Sequence, residues 1–440
     1  MGLIENYKPV CLKMLIGKIA YFKRPLDLEF ASCGKLSSND RGRPGGTGRL
    51  RKTFAGGIFT MGNKKSIVYF APFTPGVSKV DVLKKAVEAV EFRKTVAKDA
   101  LTAVKLHFGE KGNDTYLRPI FIRAVVDEVK KCGGKPFLVD SNTLYVGSRK
   151  NSVDHLITAI ENGFGYEVTG APLIIADGLK SNDFREVEID GQYFEKVEVS
   201  AAVAEADALV VVSHFKGHVA AGYGGAIKNL AMGCAPARGK KAQHAVHLEV
   251  DEEKCIGCGR CFRNCPGHAI TMEKDAAGRT TSHIHAEPCL GCCECMTVCP
   301  TQAVGMIWTA DEDKSSFNCR MAEYAWGAIK DKVRPLFINV MMDITPLCDC
   351  CGWSDTPIVP NIGVAASTDP VALDKACYDM VMAASGSAVE EHHFHEGDDK
   401  FQLLHPTTAP HAQFEHGAEI GMGSIDYELR TIRIEEGEGE

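Results

Sequence analysis

No stretch of the 440 residues is apolar for long enough to cross a bilayer, which takes about 20 residues as a helix. A cleavable signal is missing too, because the most apolar part of the opening segment, residues 10–22, is broken by Lys13 and Lys18. Basic excess is also absent. The formal net charge is −7 and the pI about 6.1, so no strong positive field is available for phosphates, and nucleic acid and membrane are not expected as partners. Eighteen cysteines could belong to a secreted scaffold, but without a signal they point to a reducing cytoplasm, and their pattern points to low oxygen.

The cysteines fall into two copies of one arrangement, C-x2-C-x2-C-x3-C-P. The first holds Cys255, Cys258, Cys261 and Cys265 before Pro266, and the second holds Cys289, Cys292, Cys295 and Cys299 before Pro300. Short spacers let three sulfurs of one loop reach one cluster, and in two-cluster ferredoxins the fourth thiolate crosses to the other cluster. On that rule Cys255, Cys258, Cys261 and Cys299 hold one [4Fe-4S] cluster, and Cys289, Cys292, Cys295 and Cys265 hold the second. Zinc knuckles use separated pairs and fit poorly. Cys293 is left over as a buried or neighbouring thiol.

Around this segment the pattern is α/β with a largely parallel sheet. Apolar runs such as "SIVYFAPF", "LTAVKLHF", "KPFLVDSN", "ALVVVSHF" and "RPLFINVMMDIT" alternate with helical stretches, one opening at Pro119 and one at Pro370 behind Thr368 or Asp369. Residues 185–200 predict an antiparallel hairpin. The expected organisation is a leader or over-long gene start at 1–60, the first part of an α/β domain at 61–247, an inserted two-cluster ferredoxin module at 248–306, the second part of the α/β domain at 307–385, and a His-rich segment with a last helix and strand at 386–440. The leader carries eleven Lys or Arg against four Asp or Glu and no clean periodicity. The late histidines, His392 to His416, form either a metal site or a solvated linker.

In open α/β sheets ligands bind beyond the carboxyl ends of the strands. There the sequence places His107 and Glu110, then Asp140 to Asn142, then His214, Lys216 and His218, and finally Cys348 and Cys350. Each histidine alone reads as readily as a hydrogen-bonded structural residue. The shared placement favours a site with His107, His214, His218 and Lys228 as candidate catalytic groups. Cys348 and Cys350, two apart, could grip an additional metal of unassigned identity, form a redox site, or be buried free thiols. Gly222, Gly224 and Gly225 precede a short helix with Lys228. They suit either an anion or cofactor at its N-terminus or a close-packed turn, and the Walker pattern is absent.

The motifs "KLHFGEKGN", "VVSHFKGHVAAGYGGAIKNLAMG", "DITPLCDCCGWSD" and the two cysteine runs resemble the largely unassigned family of iron–sulfur centre proteins built on domain of unknown function 362, over about residues 64–430. The order His218, Lys228, His244 is similar to a segment of the nickel-pincer lactate racemases. That similarity would imply a cofactor-bearing Lys228, a nickel ligand at His244 and an acid or base at His218, although the cysteine-rich insertion departs from that family. The leading expectation is an iron–sulfur protein with two [4Fe-4S] clusters, active in electron transfer or as an oxidoreductase, serving a redox partner protein or small carrier and an anionic small-molecule substrate. A metal-assisted racemase or epimerase and a non-catalytic iron–sulfur module are the alternatives.

Overall fold

The computed structural model describes residues 65–433 except 146, 245, 266, 275–277, 290–294, 296, 297, 302, 309–313, 390 and 391. The expected leader and the thiols Cys292 and Cys293 therefore lie outside the described residues. Eight strands form the main sheet: β1 (Ser66–Pro72), β2 (Leu101–Lys105), β3 (Lys135–Asp140), β4 (Leu173–Ile175), β5 (Ala208–His214), β6 (Leu336–Met341), β7 (Gly363–Ser367) and β8 (Tyr427–Thr431). Their order is β8-β1-β7-β6-β5-β2-β3-β4. Every pairing is parallel except those of β7 with β1 and β6. The fold is thus α/β with a largely parallel sheet, and the chain before and after the cysteine-rich segment contributes to the same sheet.

The central strands are buried at every position, as expected where helices cover both faces of a sheet. Alternation sorts their side chains between two cores: Leu209 and Val211 join one, Val210 and Val212 the other. The helix Pro119–Lys131 opens on proline, whose missing N–H costs nothing at a first turn. Asp369 caps the helix Pro370–Ala383, accepting from the amides of Val371 and Ala372 at 2.9 and 3.0 Å. Strand β7 and the helix Ser316–Ile329 were not anticipated from the sequence. The hairpin expected at 185–200 pairs Phe184–Glu188 with Lys196–Ser200.

The cysteine-rich segment leaves and re-enters at one neck, where Val246–Val250 pairs antiparallel with Val304–Trp308. Among the described residues no helix is long and apolar enough to cross a membrane. Of the late histidines, His393 and His395 are exposed, as in a solvated linker, while His405 and His416 lie inside the fold. His405 is buried and its Nε2 lies 2.8 Å from the Pro346 carbonyl oxygen, and His416 is buried with Nε2 3.0 Å from Glu323 Oε1. Their polar atoms found partners inside the fold, which is what makes burial of imidazole tolerable.

Glu323 also accepts from the amides of Gln192, Tyr193 and Phe194, so one carboxylate ties the hairpin loop to the last helix. The hydrogen bond to Glu323 raises the His416 pKa, against burial. A raised folded-state value stabilises the protein below the ordinary histidine pKa of about 6.5 and is lost as pH climbs through the folded value. The stability advantage of the wild type over His416→Gln is therefore expected to be larger at pH 6 than at pH 8 in thermal unfolding. Equal advantages at both pH values would contradict this assignment.

Candidate functional site

Strands β6, β5, β2 and β3 are neighbours, and the chain leaving their carboxyl ends encloses a cavity of about 170 Å³. His107, His214, His218, Gly224, Gly225, Lys228, His244, Cys348 and Cys350 all line it. Gly222 does not: it turns the chain at φ 82°, and a Cβ there would meet Pro410 at 2.6 Å.

Sequence reasoning missed much of the cavity's charge. Lys105, Arg149, Lys216, Lys228 and Lys240 line the cavity, and Asp140 is the one carboxylate among its described lining residues. Lys105 is fully buried, with Nζ 2.9 Å from Asp140, 2.7 Å from Asn229 Oδ1 and 2.8 Å from the Leu106 carbonyl. Burial alone would raise the Asp140 carboxyl, but Lys105, His155, His107 and Arg149 outweigh it and hold it well below the carboxylate range. Arg149 Nε lies 3.2 Å from Glu110. Lys240 gives its hydrogens to Ser141 Oγ and to the carbonyls of Asn142 and Ala235 at 2.6–2.8 Å, and burial lowers its pKa to about 8. A lysine inside an apolar strand, as in "LTAVKL", was the available signal for Lys105.

The second charge centre is Asp349, between the two thiols. His214 Nδ1 contacts its carboxylate at 2.9 and 3.0 Å, and His214 Nε2 faces the carbonyls of Met342 and Asp343 at 2.7 and 3.1 Å. Both ring nitrogens meet acceptors, so both must donate and neither remains for catalysis. His214 is a brace. Lys216 Nζ adds a contact to Asp349 at 3.4 Å; burial opposes its charge, but Asp349 and the nearby thiols raise its pKa. Burial disfavours the Asp349 carboxylate, yet His214 and Lys216 prevail and keep it ionised far below its usual range.

His218 sits on a tight antiparallel ribbon, Lys216–His218 against Gly222–Gly224. A Cβ at Gly217 would collide with the Pro346 carbonyl, so glycine is required for this ribbon to lie against the following loop. His218 Nδ1 accepts from the amides of Ala220 and Ala221 at 3.2 and 3.1 Å. Burial, aided by Lys228, presses its pKa well below normal, so the ring is neutral with its hydrogen on Nε2. His107 is similar, with Nδ1 accepting from Gly109 at 3.0 Å. His244 stacks on Phe317 with ring centroids 4.6 Å apart, and burial with Lys228 and Lys240 takes its pKa to about 3.

The helix Ala226–Gly233 does not offer its N-terminus to a ligand. Asp374 accepts from the amides of Ala226 and Ile227 at 2.7 and 2.9 Å, and Asn339 donates to the same carboxylate at 2.7 Å. Gly225 is needed because a Cβ would strike that carboxylate. Of the two readings of the glycine stretch, the close-packed turn describes its backbone, while Lys228 and Asn229 reach the cavity. Lys228 Nζ lies 3.8 Å from Cys348 Sγ, and among the described residues no carboxylate pairs with it. Ligand atoms of His218, Cys348 and Cys350 lie within 4.8 Å of one another; His244 lines the cavity without joining that group. Contact with Cys350, then burial, raises the Cys348 thiol pKa strongly. For Cys350 the pull of Cys348 is outweighed by Cys351 and burial, and its pKa reaches about 11.

In the inserted segment Cys255, Cys258, Cys261 and Cys299 line one small pocket, and every described cysteine is a free thiol. Cys265 and Cys299, the fourth members of the two runs, each accept an amide hydrogen at 3.2 Å, from Ala269 and Ala303. Cys261, Cys295, Cys265 and Cys289 belong to one apolar cluster that also contains Leu144 and Ala237. Leu144 lines the large cavity as well. On the helix Ala237–His244, Lys240 faces the cavity while Lys241 Nζ lies 3.7 Å from Cys289 Sγ.

These features define a largely parallel α/β protein with a cysteine-rich insertion packed against a cationic cavity. The chain belongs to the family described as domain of unknown function (DUF362), whose profile matches residues 102–379. It is 51% identical over 35 residues to an uncharacterized ferredoxin of Methanocaldococcus jannaschii, covering 8% of this chain and 46% of the ferredoxin. Among solved structures it is similar to the lactate racemase apoprotein of Thermoanaerobacterium thermosaccharolyticum, with TM-score 0.38 and 14% identity over 74% of this chain and 59% of that one. A Thermotoga maritima protein gives TM-score 0.31 and 10% identity over 61% and 51% of the two chains. The chain thus spans about half the length of the relatives it matches.

Asp349→Ala would leave His214 and Lys216 buried without their counter-charge. Breaking one side of such a buried pair costs about 3–5 kcal/mol, so urea unfolding should show a loss of that order. A loss within experimental error would remove Asp349 as the anchor of the cavity.

Proposed function

We propose that this chain is an iron–sulfur protein that binds two [4Fe-4S] clusters and passes single electrons from an external redox partner to a small anion in the cationic cavity. The observation that carries the reading is the pocket lined by Cys255, Cys258, Cys261 and Cys299. Three thiols of the first run meet the last thiol of the second, the crossed set that two-cluster ligation requires. Cys265, Cys289 and Cys295 gather nearby, with Cys292 outside the described residues. Amide donors already aimed at Cys265 and Cys299 suit sulfurs carrying thiolate charge.

When bound, such clusters supply one-electron chemistry at low potential. The chain supplies the route and the receiving site. Cys258 is exposed, beside the exposed Ile256 and Phe262, which fits an entry port for a redox partner. The Cys289 group lies against the helix that carries Lys240 and against Leu144 of the cavity wall. Three of the five basic side chains on the lining are paired, Lys105 with Asp140, Arg149 with Glu110 and Lys216 with Asp349. Lys228, with no carboxylate partner among the described residues, is left to meet an anion, and the Nε2 hydrogens of His107 and His218 can orient it.

A second reading, a metal-assisted racemase or epimerase, is favoured by His218, Lys228 and His244 lining the same cavity. It predicts stoichiometric nickel and an intact mass above that of the polypeptide from an adduct at Lys228.

Protein prepared without oxygen should contain about eight iron and eight sulfide per chain and give a paramagnetic signal with dithionite. Cys258→Ala should lower iron to roughly half, because one of two four-iron groups loses a ligand. Colourless protein without acid-labile sulfide would overturn the reading.

A further inference from the structure

The geometry points to Cys348 and Cys350 as a redox-active dithiol in the cavity wall, opening and closing as an intramolecular disulfide. For its source of electrons the inference rests on the iron–sulfur reading above.

The two thiols occupy a turn closed by the hydrogen bond from the Cys351 amide to the Cys348 carbonyl at 2.9 Å. The residue between them, Asp349, is fixed by His214 and Lys216, which holds the turn so that both sulfurs face the cavity. Both lie within 4.8 Å of each other and of a nitrogen of His218. A disulfide across a single residue closes a small ring; strain of that kind raises the potential and makes a disulfide labile, a property of catalytic rather than structural bridges.

The same three residues could be taken for a metal site, and the surroundings decide against it. Amides of Ala220 and Ala221 occupy the Nδ1 lone pair of His218, so the neutral ring presents a hydrogen, not a lone pair, from Nε2. That leaves two thiols as ligands. Lys228, 3.8 Å from Cys348 Sγ, and the buried Lys216 oppose a dication. Disulfide reduction, by contrast, adds two electrons and two protons together and leaves the charge of the buried cavity unchanged.

In that step the bond between the two sulfurs breaks and each sulfur gains one electron and one proton. With both clusters bound and reduced, they would supply the two electrons singly and be oxidised in turn. The Lys228 ammonium hands one proton to Cys348 and recovers it from water, and solvent supplies the other to Cys350. The dithiol thereby converts one-electron delivery into a two-electron step beside the lysines that hold the anion.

The test uses the full chain, prepared without oxygen, equilibrated in thiol–disulfide buffers of graded potential, then trapped with a maleimide and mapped by peptide mass spectrometry. Cys348 and Cys350 should become unreactive together, in a bridged peptide lighter by two hydrogens, and dithionite should restore both. Cys351→Ala should retain the couple, while Cys348→Ser and Cys350→Ser should each abolish it. Two thiols that stay reactive at every potential, a bridge through Cys351, or a stoichiometric zinc, iron or nickel ion lost in Cys348→Ser would each sink the dithiol. Protein with both clusters but no couple defeats this inference alone. Protein lacking acid-labile sulfide whose couple still titrates with dithiothreitol defeats the cluster reading and leaves the dithiol standing.

Discussion

Charge buried at the ends of four neighbouring strands is the constraint on which the cavity depends. Asp140, at the end of β3, holds Lys105 of β2, and Asp349, in the loop after β6, holds His214 of β5 and Lys216 just beyond it. Taking ions out of water costs several kcal/mol each, and the cost is met only when geometry and hydrogen bonding are good. Once these pairs form, neither the β2 and β3 ends nor the β5 and β6 loops can shift independently. These pairs, with that of Arg149 and Glu110, neutralise most of the basic charge on the lining and leave Lys228 without a carboxylate partner among the described residues.

The inserted segment makes sense against that frame. Its neck is zipped by two short antiparallel strands, which confines the insertion without disturbing the parallel sheet. The helix Ala237–His244 then serves both parts, with Lys240 among the buried groups of the cavity and Lys241 beside Cys289. Adjacent residues on a helix point about 100° apart, so one element reaches two neighbouring centres without lengthening the chain. On the proposed function, that proximity would bring a cluster of the inserted segment close to the cavity wall.

Much of the scaffold was legible from local pattern. Buried parallel strands read as continuous apolar runs, prolines and Asp369 marked helix starts, and the cysteine spacing carried its own crossed pairing rule. Strand β7 was harder, since "GVAAS" is short and rich in small residues and borrows its identity from β1 and β6 on either side. The glycine stretch before Lys228 misled in another way: its helix start looked open to an anion, but Asp374, far along the chain, already fills it. His405 and His416 sit in polar sequence that suggests solvent, yet a carbonyl and a carboxylate from other elements bury them.

By itself the sequence determined the alternation of strands and helices, the duplicated cysteine runs and the residue types available at strand ends, because each follows from periodicity or spacing within a few dozen residues. Only the tertiary structure decided that Lys105, Arg149, Lys216, Lys228 and Lys240 share one cavity, that His214 is consumed as a brace, and that Cys348 and Cys350 face His218 and Lys228. Those outcomes depend on pairings between residues from 35 to 135 positions apart, and burial and partner geometry, not local preference, set the charge and availability of each group.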